Sequence, residues 1–155
     1  MELNPWYVSG FVDGEGSFLI SFSIRKKFLL GVETRPSFTI SQHQRSKEVL
    51  EELQRFFGCG TIRFNISDGT YKYEVRSVLD LYTKIMPHFE RYPLRSSKRY
   101  DFERWQKICG DVLQQQHRLR GGLKKIITQA YQMNGLGARK YAMDDLLRVI
   151  KKMKV

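Results

Sequence analysis

The sequence is poor in the residues on which metalloenzymes of the zinc type and most nucleophilic hydrolases depend. Two cysteines, Cys59 and Cys109, and three histidines, His43, His88 and His117, stand singly in 155 residues. Their spacing matches no zinc site, and nothing points to an oxidising compartment, so both cysteines are expected to be reduced and structural. No Ser/His/Asp or Cys/His set stands out for covalent catalysis. Runs of about 18 apolar residues are absent, so no transmembrane helix is expected. The opening "MELNPWY" has neither the apolar stretch of a signal peptide nor the Arg/Ser-rich character of a transit peptide. The protein is therefore expected to act where it is made.

Acidic residues are also scarce. Sixteen Asp and Glu face 27 Lys and Arg, giving a net charge of +11 and a pI near 9.8. Such a balance implies a polyanionic partner, either nucleic acid or a membrane surface. With 41% hydrophobic residues the chain is long enough for one globular domain, 1–155, and too short to expect two. No internal repeat or low-complexity tract occurs.

The chain then reads as a series of short elements. Asn4 and Pro5 start a helix that Gly14 and Gly16 stop. From Ser17 the period becomes two: Phe18, Ile20, Phe22 and Ile24 against Ser17, Ser21, Ser23, Arg25 and Lys27, with Leu19 out of pattern. A second strand, Val32 to Gln42, sets Phe38 and Ile40 against Glu33, Arg35, Ser37, Thr39 and Ser41. An amphipathic helix follows over Ser46 to Phe57. A third strand has Ile62, Phe64 and Ile66 opposite Thr61, Arg63 and Asn65. "SDGT" is a hairpin signal, and a fourth strand opposes Tyr71, Tyr73 and Val75 to Lys72, Glu74 and Arg76. Ser77 to Met86 is expected to be helical, and a longer helix to run from about Ser97 to Leu119. Gly121-Gly122 is expected to break it. Two more helices are read over Leu123 to Met133 and Tyr141 to Met153, around Gly135-Leu-Gly137. The order is αββαββα with additional C-terminal helices, an α+β fold with an antiparallel twisted sheet.

All four strands pair one apolar face with one rich in Arg, Lys, Ser, Thr, Asn and Glu. A solvated sheet face would look the same; the charge favours a surface laid in a DNA major groove. Candidate DNA-binding residues are Ser21, Ser23, Arg25, Lys27, Glu33, Arg35, Ser37, Thr39, Arg63, Asn65, Lys72, Glu74 and Arg76, with Arg139 and Lys140 after the glycine-rich turn. Membrane binding is disfavoured because no terminal helix pairs a basic face with a strongly apolar one.

The first helix carries an anomaly. In "WYVSGFVDGEGSF" the glycines Gly10 and Gly14 each cost roughly 1 kcal/mol against alanine, and two carboxylates, Asp13 and Glu15, close an apolar run. Gly10 and Gly14 share one face at a spacing that lets two backbones approach. If the partner is a second copy of this helix, a two-fold axis brings two Glu15 carboxylates together. Such a pair repels unless a cation lies between them, and hard oxygen donors suit Mg²⁺.

Val8-Ser9-Gly10-Phe11-Val12-Asp13-Gly14-Glu15-Gly16 resembles the LAGLIDADG motif of homing endonucleases. Gly10, Asp13, the acid at 15 and Gly16 match, and "YPLRSSKRYDF" and the element order extend the resemblance over nearly the whole chain. The resemblance implies a site-specific, intron-homing endonuclease that cleaves a long pseudo-palindromic double-stranded DNA site and leaves 3′ overhangs. One motif per chain implies a homodimer, with Trp6, Gly10, Asp13 and Gly14 at its interface. It implies Mg²⁺ as cofactor, with Mn²⁺ substituting, held at Glu15 and Gly14, and no small-molecule cofactor. Glu15 replaces the more usual Asp, lengthening the reach by one methylene. Gln42 is implied to orient the attacking water and Lys98 to stabilise the scissile phosphate, with Arg95 as the alternative and Arg45 as a further positive charge. Glu15, Gln42 and Lys98 are thus the implied catalytic set. The implied location is an encoding organelle, chloroplast or mitochondrion, or a prokaryotic cytoplasm. Two other readings fit the same basic surface: an intron-encoded RNA maturase and a non-catalytic DNA-binding regulator.

Overall fold

The computed structural model describes residues 2–134 and 138–154. Helix α1 (Pro5–Glu15) starts where the Asn4 side chain accepts the Trp6 N–H at 2.8 Å and Pro5 occupies the first turn, where no N–H is needed. It passes without a loop into β1 (Gly16–Ile24). A Cβ on Gly16 would lie 2.7 Å from Val12 Cγ1 and 3.0 Å from the Val12 carbonyl oxygen, so this helix-to-strand switch requires glycine.

β1 pairs antiparallel with β2 (Val32–His43), in a register running from Gly16 opposite Ile40 to Ile24 opposite Val32. After a 3₁₀ turn (Gln44–Ser46) comes α2 (Lys47–Phe57), closed by Gly58 in the left-handed region, φ +66°. β3 (Thr61–Asn65) and β4 (Thr70–Val75) form the expected hairpin, with Gly69 also at φ +66°. The sheet order is β1-β2-β4-β3 and every pairing is antiparallel. With the helices described next, this is the αββαββα order.

The helices depart from the sequence reading in three places. α3 (78–91) consists of Val78–Asp80, a π turn over Leu81–Ile85 and Met86–Arg91, and so continues five residues past Met86, through Pro87. Proline lacks the N–H that would bond the carbonyl four residues back and crowds that carbonyl. The wider π turn preceding it takes up the mismatch. α4 (Lys98–Leu113) ends six residues before Leu119, because Gln115 turns left-handed at φ 63° and a 3₁₀ turn, Gln116–Arg118, follows. Gly121 and Gly122 lie inside the first turn of α5 (Arg120–Ala130) instead of breaking a helix. A Cβ on Gly122 would approach the Gln116 carbonyl oxygen to 2.2 Å, so the glycine permits a close backbone contact. α6 (Met143–Lys152) is the last helix; the Gly135-Leu-Gly137 turn lies outside the described residues. Among the described residues no helix is long and apolar enough to cross a membrane.

Helices cover the apolar sheet face. Phe18 lies at the centre, its ring within 5.4 Å of those of Phe38, Phe89, Phe102 and Trp105. The Trp105 indole N–H donates to the Ser37 carbonyl at 3.1 Å, which ties α4 to the middle strand. Three residues read as apolar-face positions escape this cover: Ile24 at the end of β1, Phe64 on the edge strand, and Ile66, which falls in the hairpin turn. Cys109 is buried, Cys59 is half-buried, and both are free thiols.

Candidate functional site

Three side chains from three elements meet at the C-terminal end of α1. Glu15, its last residue, is exposed and accepts a hydrogen bond from the Gln42 side-chain amide at 2.9 Å. Gln42 reaches it from the end of β2. Lys98, the first residue of α4, donates its Nζ hydrogen to the Val12 carbonyl at 3.0 Å, in the last turn of α1. The end of a helix is its negative pole, which favours an ammonium or a metal cation and disfavours a carboxylate. Burial lowers the Lys98 pKa below its ordinary value, against the opposing pull of the Asp13, Glu15 and Asp101 carboxylates.

Asp13 lies among these groups but turns to its own chain. Its Oδ2 accepts the N–H groups of Arg95 and Ser96, each at 2.9 Å, and its Oδ1 accepts the Ser96 hydroxyl. Partial burial would raise its pKa, but those three hydrogen bonds and the nearby Lys98 outweigh it and hold the carboxyl below the usual range. Asp13, expected at an interface between subunits, thus has its carboxylate engaged by its own chain. Four residues earlier on the same helix face, the buried Ser9 donates to the Tyr92 carbonyl at 2.6 Å and lies 3.1 Å from His88 Nε2. Since the hydroxyl proton goes to Tyr92, His88 Nε2–H is the donor to Ser9. Burial lowers His88 to a pKa of about 4 and keeps it neutral. Ser9 and Ser96 were not singled out in the sequence; the i, i+4 spacing of Ser9 and Asp13 marks a shared polar face of α1, whereas no local signal marks Ser96.

The neighbouring face of α1, turned away from the buried Val8 and Val12, is bare. Nothing lies within 4 Å of a Cβ built on Gly10 or Gly14, and Tyr7 beside them is 49% exposed. Trp6, also half-exposed, is edge-on to Tyr92 at 5.1 Å, with the Arg95 guanidinium 5.9 Å from its ring. Arg45 is exposed in the turn after β2.

For a metal, one chain offers the Glu15 carboxylate and the carbonyl of Gly14, which the end of the helix leaves without an intrahelical partner. Among the described residues no group of three or more His, Cys, Asp or Glu side chains could hold a metal. This exposed all-oxygen set at a helix C-terminus fits a hard divalent cation that takes its other ligands from water, phosphate oxygens or a second carboxylate.

The register places the polar strand positions on one face. Ser21 opposes Arg35, Ser23 opposes Glu33, Thr39 opposes Glu74, and Lys72 opposes Arg63 across β4 and β3. Asn65 opposes Thr70 on the same face. Ser37 and Thr39 point the same way but are only 6% exposed, short side chains in an inner strand beside Leu19 and Glu74. Arg25, Lys27 and Arg76 lie beyond the strand ends. Two cations are already paired, Arg25 with Glu33 at 3.0 Å and Arg76 with Glu74 at 3.1 Å. Arg139, expected to contact DNA, has its guanidinium engaged by its own chain. Its guanidinium donates to the Ile20 carbonyl at 2.8 Å and to the Ala130 carbonyl, and stacks 4.5 Å from the Tyr131 ring. It closes the free edge of β1, whereas Lys140 beside it is exposed.

Residues 8–109 match the LAGLIDADG endonuclease family. The probable intron-encoded endonuclease 3 of Neurospora crassa is 33% identical over 135 residues, which is 86% of this chain and 25% of that protein. The chain spans only 22–29% of the length of this and two other fungal relatives. Among solved structures, the homing endonuclease I-TnaI superposes with a TM-score of 0.85 at 34% identity, covering 99% of this chain and 100% of that one. I-SmaMI, bound to an uncleaved DNA target in the presence of calcium ions, gives a TM-score of 0.87 at 28% identity and covers 97% of this chain, but only 50% of its own length is matched. Together with the glycine and acid positions of α1, these matches place the chain in the LAGLIDADG endonuclease family.

Proposed function

We propose that the protein is a site-specific DNA homing endonuclease that acts as a homodimer and hydrolyses phosphodiester bonds with a divalent cation, preferably Mg²⁺, leaving 3′ overhangs. The observation that carries this reading is the meeting of Glu15, Gln42 and Lys98 at the end of a helix whose outer face is bare glycine. The basic face of the sheet supports DNA as the substrate. Strands β1 and β2, nine and twelve residues long, reach about 30–40 Å, near one turn of duplex. Two subunits would then span about 20 base pairs. The calcium-containing DNA complex of I-SmaMI, half of which matches this chain, supports both the metal and the pairing.

Glu15, with the Gly14 carbonyl, would hold the cation, which when bound supplies Lewis-acid stabilisation of the departing 3′ oxygen and a more acidic water. Gln42 orients Glu15 through its amide and presents its own carbonyl to a water. Lys98 places a positive charge where negative charge develops on the phosphate. No side chain acts as a covalent nucleophile.

The test is cleavage of a plasmid library of randomised and intron-insertion sites with Mg²⁺, with a chelator, and with Glu15→Gln. Cutting at one defined site that needs metal, and is lost in the variant while binding persists, is the expected result. Tight binding without cutting by the unmodified protein would overturn the reading and favour a regulator or maturase.

A further inference from the structure

The polar residues of α1 serve a purpose that neither the glycines nor Glu15 explains. Ser9 and Asp13 face the same connector, residues 92–97, which joins α3 to α4. Ser9 holds it at Tyr92, and Asp13 holds it at Arg95 and Ser96. From there the chain of bonds runs straight to Lys98: the Lys98 N–H donates to the Ser96 hydroxyl at 3.1 Å, and its Nζ returns to the Val12 carbonyl on α1. Because Ser97 supplies no side-chain cap to α4, the start of that helix is set by this loop and its partners.

We infer that Asp13 is a positioning residue: by clasping the Arg95–Ser96 turn it fixes the start of α4 and so places the Lys98 ammonium on the Val12 carbonyl, in the last turn of the helix that ends at Glu15. The inference rests on the nuclease reading of the site. The energetic reason is the length of the lysine side chain. Its four-carbon stem has large rotamer entropy to lose, and a free Lys98 on an exposed helix start would spread over many positions. Anchoring its backbone through two accepted N–H groups and a hydroxyl leaves only the stem to order. Charge-assisted hydrogen bonds to a carboxylate are strong enough to do this, and a near-attack geometry is sensitive to displacements of about 1 Å.

The experiment compares Asp13→Ala, Asp13→Asn and Ser96→Ala in the full chain. On the free protein, the rate at which an amine-selective acylating reagent labels Lys98 is read by mass spectrometry, with exposed Lys72 as internal reference. In parallel, maximal single-turnover cleavage and DNA affinity are measured separately. Asp13→Ala should speed labelling of Lys98 about 3–10-fold and slow cleavage about 100-fold, with DNA affinity within about threefold. Ser96→Ala should show the same pattern more weakly. Asparagine keeps an acceptor for both backbone N–H groups, so Asp13→Asn should recover most of the unmodified behaviour.

Unchanged Lys98 labelling in the folded Asp13→Ala and Ser96→Ala proteins would overturn the inference. So would an asparagine variant as impaired as the alanine one, since charge alone would then be responsible. If the unmodified protein cuts no DNA, the nuclease reading fails, while the labelling arm still decides whether Asp13 places Lys98.

Discussion

Glu15 is a carboxylate at the wrong end of a helix. The C-terminal pole of α1 is negative, so an anion there destabilises the fold in the absence of a cation. The Gln42 amide offsets part of that cost with one hydrogen bond. Glu15→Gln removes the charge but keeps an oxygen for Gln42 to donate to. In metal-free, low-salt buffer it should therefore raise unfolding stability by about 0.5 kcal/mol, read from denaturant titration, and the gain should shrink as salt is added. A loss of stability instead would mean that the carboxylate holds its neighbours as a structural pair, and would weaken its assignment as a site kept for a metal.

At the scale of elements, the glycine pair at the start of α5 separates two uses of one residue type. Gly121 has open space around it, whereas a Cβ on Gly122 would collide with the Gln116 carbonyl. Gly122→Ala should cost about 1–3 kcal/mol, and Gly121→Ala should be neutral or stabilising by up to about 1 kcal/mol. Equal effects in thermal or denaturant unfolding would show that the close backbone contact is not what the glycine serves. The same pair explains why the helices were only partly legible in the sequence. Adjacent glycines read as a breaker, but their role is set by a backbone six residues earlier that turns left-handed at Gln115, where no residue announces it. The strands were more legible because period-two alternation is a local property and each strand borders the core directly. Within the site, Glu15 stood out through its motif and Lys98 through "LRSSK". The partner of Asp13 did not, because it lies 82 residues away along the chain. Arg139 reads as a DNA contact from its charge and its place after a glycine-rich turn. Its carbonyl partners depend on which strand forms the sheet edge, and composition cannot tell that.

For the whole molecule, the division of α1 into two faces bears directly on the proposed homodimer. One face is engaged by its own chain through Ser9 and Asp13. The other presents Gly10 and Gly14 beside the exposed Tyr7, at a penalty to helix stability, with no described residue within 4 Å of a Cβ built on either. A second α1 laid against it would bring the two backbones close and turn that penalty into contact area, and would also bring two Glu15 carboxylates to one place. A net charge of +11 opposes pairing in free solution and is neutralised on DNA, so dimerisation should be stronger on a duplex than off it. Gly10→Leu separates the subunit from the assembly. Within one chain its Cβ meets no neighbour and it replaces a poor helix former with a good one, so the subunit's own stability, measured at dilutions where it is monomeric, should hold or rise by about 1 kcal/mol. In the proposed dimer the side chain would wedge the helices apart, raising the dissociation constant about 100-fold or more, equivalent to about 3 kcal/mol. Sedimentation velocity with and without DNA reads both quantities. Equal association of the two proteins, or one subunit per DNA site in the unmodified complex, would mean that α1 is not the seam, and the glycines would then need another explanation.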